Sequence, residues 1–189
     1  MVFKPPYEIV RSVNQAGLVK APMGLTNTLM MGFLAGAFVA FGGLLAIMVG
    51  GGIPAIKSAH PGLQKFIFGA VFPVGLMLVV IAGAELFTGN TAVSIPAVLS
   101  GRIRWFGWLK NLILSYSGNL AASLFVAYFV ADQTHLLNSQ PWLSFATNIS
   151  QEKVSHHFWV LLLSGATPPI IKKSMWNPAM LGDSALPQS

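Results

Sequence analysis

The sequence has no cysteine, and only 8% of its 189 residues are charged. Without thiols there is no disulfide framework, no cysteine-ligated iron–sulfur cluster, no thiolate zinc site and no cysteine nucleophile. The shortage of charge, set beside 54% hydrophobic residues and 19 glycines, excludes an ordinary soluble domain and reads as an integral membrane protein. Acids are scarcer than bases, five Asp and Glu against 11 Lys and Arg, for a net charge of +6. The bases are spaced singly, without the dense stripe that phosphate recognition uses, so nucleic acid is not an expected partner. There is also no nucleophile beside a base, no paired carboxylates and no metal-binding cluster, so an intramembrane enzyme ranks last and no cofactor or metal is expected.

What is present is a set of long apolar stretches. A membrane span needs about 20 mostly apolar residues. Three uncharged stretches provide that: one between Lys20 and Lys57 with its heart from Leu25 to Val49, one between Lys65 and Arg102 interrupted by Glu85, and one from Asn111 to Ala131. A fourth, Phe158 to Leu163, is stopped by Gly165, Pro168, Pro169, Lys172 and Lys173 at about half the required length. The segment between Asp132 and Lys153 is polar enough for an external loop.

The N-terminal stretch, residues 1–24, reads as an amphipathic helix. Ile9, Val10, Val13, Ala16 and Gly17 recur at helical spacing opposite Glu8, Arg11, Ser12, Asn14 and Gln15. Pro5 to Lys20 is too mixed in polarity for the apolar region of a signal peptide. Such a helix either lies on a membrane surface or joins its own bundle, the second being favoured. Lys4, Arg11, Lys20, Arg102, Arg104 and Lys110 flank one side of the spans and Lys57, Lys65 and Lys153 the other, which predicts a cytoplasmic N-terminus. Trp105 and Trp108 stand where an aromatic belt would place them. Gly32, Gly36 and Gly43 are expected to form one smooth face for close helix packing.

The stretch that carries chemistry is Gly83-Ala84-Glu85-Leu86-Phe87-Thr88-Gly89-Asn90-Thr91. A carboxylate near the bilayer centre costs several kcal/mol unless it is paired or solvated, so Glu85 is expected to be functional or tightly hydrogen-bonded. Gly89, Asn90 and Pro96 favour a break in the second span. Non-helical backbone at that depth survives only inside protein or beside a wet cavity. The span is therefore expected to enter as one helix, turn, and leave as a half-helix from about Ala92 to Leu99.

Ala84-Glu85-Leu86-Phe87-Thr88-Gly89-Asn90 resembles the signature loop of the formate/nitrite transporter family. Phe72-Pro73-Val74-Gly75-Leu76, Ser100-Gly101-Arg102-Ile103-Arg104-Trp105, Gly118-Asn119-Leu120 and Lys153-Val154-Ser155-His156-His157-Phe158 follow in family order, and the resemblance covers about residues 5–164. It implies an all-α polytopic membrane protein of aquaporin-like architecture. Six spans form two inverted repeats of three in the family, assembled as a homopentamer with a pore in each protomer and embedded in the lipid bilayer. Its substrates are small anions such as formate, nitrite or related monocarboxylates, commonly moved with a proton, and its most natural location here is the plasma membrane.

By position, the resemblance makes Thr88 the loop hydroxyl facing the pore and puts Phe72 and Leu76 in its apolar constrictions. Leu86 and Phe87 would form the loop's inner wall, and Lys153 would draw the anion at the outer approach. Glu85, with Gly89 and Asn90, would brace the loop rather than touch substrate. An apolar ring passes a small neutral acid more readily than a hydrated anion, so protonation near a cation followed by passage is coherent chemistry. The plainer readings are a helix-capping hydroxyl for Thr88, a snorkelling anchor for Lys153 and interfacial polar residues for His156 and His157. His60 and His135 read as solvated.

The resemblance implies a first three-helix repeat with a broken second helix and the start of a fourth, an incomplete transmembrane domain over residues 25–164. Residues 165–189 form a divergent polar tail, as an unspliced junction or a shifted frame would produce. On this reading the 189-residue chain is a poor transporter by itself, and the alternative function is a truncated, non-transporting fragment that associates with full-length subunits.

Overall fold

A computed structural model describes residues 5–20 and 22–155, apart from the side chain of Lys153. The expected half-span from Phe158 to Leu163, His156, His157 and the tail over residues 165–189 lie outside the described residues. Among the described residues every regular element is helical.

Helix α1 is Pro6–Lys20, with Pro6 at its first position, Glu8 in its first turn and Lys20 in its last. Proline has no N–H to lose there, and the two charges complement the helix dipole. Helix α2 is Leu25–Gly51, which at 1.5 Å per residue is about 40 Å long. A short α3, Pro54–Ala59, and α4, Pro61–Val71, each start on a proline. Helix α5, Pro73–Ala82, continues α4 through Phe72, whose torsions stay helical. Helix α6 is Phe87–Leu99, α7 is Trp105–Phe125 and runs on as a π-helical segment Val126–Asp132, and α8 is Trp142–Val154. The segment expected to be only an external loop therefore contains a helix.

Among the described residues, three helical stretches are long and apolar enough to cross a membrane: Leu25–Gly51, Pro61–Ala82 and Trp105–Asp132. The chain through Leu143 is one unit, and a second begins at Ser144. In the second, the body of α8 bonds along itself, with Ser150 Oγ donating to Ala146 O at 2.9 Å. In the first, the fully buried apolar residues are Ala35, Ala46, Ala97 and Ala122, while Leu99 and Phe106 are exposed. This inversion of a water-soluble core follows from the bilayer: lipid tails are as apolar as leucine, so helices associate through close backbone approach and hydrogen bonds.

Gly32 and Gly36 of α2 meet α7; a Cβ on Gly32 would stand 3.1 Å from Ser115 O. Gly43, expected on the same face, is not the third contact. Gly42 is, and it faces Gly75 of α5, where an added Cβ would lie 2.8 Å from Gly75 Cα. Six residues beyond Gly36, Gly42 is turned by about 120° around the helix. Helix α2 thus serves two partners with two small-residue faces. Helix α1 lies on α6, with Gly17 against Val93 O and Ser94 Cα, so the amphipathic helix is part of the bundle.

Candidate functional site

The second span breaks between α5 and α6, earlier than Gly89, Asn90 and Pro96 suggest. Gly83 takes the left-handed conformation (φ 64°, ψ 27°), which costs an L side chain but not glycine. Ala84 N–H then donates to Val79 O at 3.0 Å, closing α5 with a Schellman-type cap. The loop is short, and α6 resumes at Phe87 rather than near Ala92. Gly89 and Asn90 lie inside the first turn of α6, and Pro96 is carried within the helix.

A buried polar cluster holds this break. Glu85 is 2% exposed. Its Oε1 pairs with Lys20 Nζ at 2.9 Å, and its Oε2 accepts from Asn90 Nδ2 at 2.7 Å. Asn90 Oδ1 accepts from the same Lys20 ammonium at 3.0 Å, while Asn90 Nδ2 also reaches Asn111 Oδ1 at 3.1 Å. Asn111 Nδ2 returns to Lys20 O at 3.3 Å. The end of α1, the loop, α6 and α7 are tied together through one carboxylate and two amides. Trp108 Nε1 adds a bond to Ser94 Oγ at 2.7 Å, and that hydroxyl in turn donates to Asn90 O.

Asn119 of α7 holds both sides of the loop. Its Nδ2 donates to Glu85 O at 3.1 Å and to Gly32 O at 2.7 Å, and its Oδ1 accepts Phe87 N–H at 2.9 Å. A helix leaves its first N–H groups without intrahelical partners, and Asn119 satisfies the first of α6. Glu85 N–H donates across to Met31 O at 3.1 Å. Asn119→Leu is expected to destabilise by about 2 kcal/mol, because buried backbone groups lose their partners. Ser123→Ala, which removes only a bond to Asn119 O within α7, should cost much less; equal thermal unfolding midpoints for the two variants would contradict this assignment.

Beside the loop is a groove of about 480 Å³, whose lining includes Leu76 and Val79 of α5, Leu86, Gly89 and Asn90 of the loop and α6, and Lys20. The structure therefore gathers Leu76, Leu86, Gly89 and Asn90 around one concavity, with Glu85 buried behind it. It sends Phe87 elsewhere: its ring meets Tyr116 edge-on, with centroids 5.5 Å apart. Phe72, one helical turn before Leu76, and Thr88 are exposed and outside this groove's lining. Thr88 is the second residue of α6, past the N-cap Leu86, and the first N–H of that helix is taken by Asn119 rather than by Thr88. Lys153 belongs to α8; its side chain lies outside what is described.

Lys20, Asn111 and Asn119 carry much of this geometry without having been assigned a part in it from sequence. Lys20 reads as one more flanking cation, and no spacing rule links it to Glu85. Two amides eight residues apart on an apolar span do carry a signal, since polar side chains within a membrane helix form interhelical bonds.

Among the described residues, three apolar helical stretches, the second followed by the polar loop and α6, define the class, an all-helical integral membrane protein. The model of the formate/nitrite transporter family matches residues 7–168, and the chain belongs to that family. It is 43% identical over 152 residues to a probable formate transporter of Methanothermobacter thermautotrophicus, covering 80% of this chain and 55% of that protein. It is 41% identical over 128 residues to a formate channel of Bacillus thuringiensis, covering 68% and 48%. A formate-nitrite transporter of Entamoeba histolytica is 36% identical over 160 residues, covering 85% and 44%. The chain spans about half the length of the curated relatives it matches.

Proposed function

We propose that this protein serves transmembrane passage of small monovalent anions, formate, nitrite or a related monocarboxylate, together with a proton. The observation that carries the reading is the interruption of the second span at Gly83–Leu86, held in place by Glu85, Asn90 and Asn119. Non-helical backbone within a membrane is tolerated inside protein or beside a wet cavity, this loop borders a groove, and the names of the relatives indicate what would pass. Leu76 and Leu86 offer an apolar wall beside the positive end of α6, with Phe72 and Thr88 further along the path and Phe87, turned to Tyr116, backing the loop. Lys153 would draw the anion at the approach and favour its neutral form, which the apolar stretch admits. The aquaporin-like repeat, the homopentamer and a cytoplasmic N-terminus in the plasma membrane belong to the same proposal.

The second reading is a non-transporting subunit that joins full-length relatives. Uptake of labelled formate and nitrite into proteoliposomes separates the two. Transport predicts saturable uptake that rises with an inward proton gradient and falls about tenfold in Thr88→Ala, equivalent to about 1.4 kcal/mol in the barrier. Uptake no greater than in protein-free liposomes, with lowered flux when the chain is co-expressed with a full-length relative, would overturn transport by this chain and establish the second reading.

A further inference from the structure

The α6–α7 turn and the start of α7 carry cations that the bundle does not neutralise. Arg102, Arg104 and Lys110 are exposed, and their side chains have no ion pair or hydrogen bond among the described residues. No acid occurs in the sequence between Glu85 and Asp132, and Glu85 is already paired with Lys20. Lys110 also lines a shallow apolar groove of about 300 Å³ with Phe106, Leu109, Ile113 and Leu114. These residues follow helical spacing along one side of α7. Asn111, Leu112 and Ser115, on the other side, are buried, so the groove lies away from the packed face.

We propose that this groove seats one anionic phospholipid, with its phosphate on Arg104 and Lys110 and an acyl chain along Phe106, Leu109 and Ile113. The span Trp105–Asp132 starts here, so the cations stand at the end of a membrane helix, at headgroup level. Side chains on a helix lean toward its N-terminus, and a lysine stem snorkels along apolar surface. Both tendencies carry the Lys110 ammonium from the second turn of α7 back toward the N-terminal end of the helix, where Arg104 is the N-cap. A guanidinium and an ammonium suit a phosphate oxyanion. The uncompensated positive charge selects an anionic headgroup over a zwitterionic one, and the apolar groove below selects a lipid over a free anion.

Native mass spectrometry of the protein released from nanodiscs of equal phosphatidylglycerol and phosphatidylcholine tests this. One phosphatidylglycerol should be retained preferentially, and Arg104→Gln/Lys110→Gln should weaken its retention about thirtyfold, given the energy of about 1 kcal/mol that each surface cation contributes. Lys65→Gln, in α4 at the far end of the second span, should leave retention unchanged. Ile113→Trp, which fills the groove without altering charge, should also reduce retention, and millimolar inorganic phosphate should not displace the lipid. Equal retention of the two lipids, wild-type retention in either α7 variant, displacement by phosphate, or a second copy of the chain crosslinked across Ile113 in place of lipid would overturn the proposal.

Discussion

Lys20→Met is expected to destabilise the protein by about 3–5 kcal/mol, the range for stripping the partner from a buried ion. Glu85 is 2% exposed and would keep only the 2.7 Å bond from Asn90 Nδ2 as its side-chain donor. The reverse change is milder. Glu85→Gln leaves an ammonium whose side chain is 27% exposed, which water can partly solvate, and the glutamine can still accept from Asn90. Adding Glu85→Gln to Lys20→Met should recover part of the loss, because no unpaired carboxylate is then left in the interior. Thermal unfolding in detergent, followed by circular dichroism, measures all three. Equal and small shifts for the two single variants would mean that the pair does not hold α1 to the loop.

Gly36→Ala carries the second large effect, about 3 kcal/mol of destabilisation. A Cβ at Gly36 would fall 2.3 Å from Asn119 O and 2.6 Å from Asn119 Cα. Both are backbone atoms of α7 and cannot rotate aside, so the helices must separate, which places the change at the upper end of overpacking costs. Separation also pulls Asn119 from Gly32 O, Glu85 O and Phe87 N–H. By contrast Gly69→Ala, where a Cβ meets nothing within 4 Å, should be neutral or slightly stabilising in its helix. Unfolding midpoints that fall for Gly36→Ala but not for Gly69→Ala are the expected result. A midpoint unchanged in Gly36→Ala would show that α2 and α7 can move apart without cost.

The three spans were legible because their signal is local: about 20 consecutive apolar residues suffice, whatever they touch. Helix α1 was legible for a similar reason, its polar and apolar residues dividing at helical spacing with Pro6 at the start. The break in the second span was readable in kind, since an acid among apolar residues demands a structural answer. Its position was not, because Gly83, Gly89, Asn90 and Pro96 are all plausible breakers in sequence. Only one of them, Gly83, takes a positive φ. Gly89 and Asn90 are absorbed into the first turn of α6, where Asn90 bonds toward Lys20, Glu85 and Asn111.

The sequence by itself determined an all-helical membrane protein, its spans, its N-terminal amphipathic helix, and an interruption of the second span around Glu85. Tertiary structure decided the partners: Lys20 for Glu85, Asn119 for both sides of the break, Gly42 rather than Gly43 for α5, and Phe87 toward Tyr116 instead of the groove. Hydropathy and helical period are properties of neighbouring residues and survive in one dimension. A salt bridge across 65 positions, or a glycine chosen by which helix approaches it, depends on how helices cross, and in a bilayer that crossing is selected by close packing and buried hydrogen bonds rather than by apolar burial.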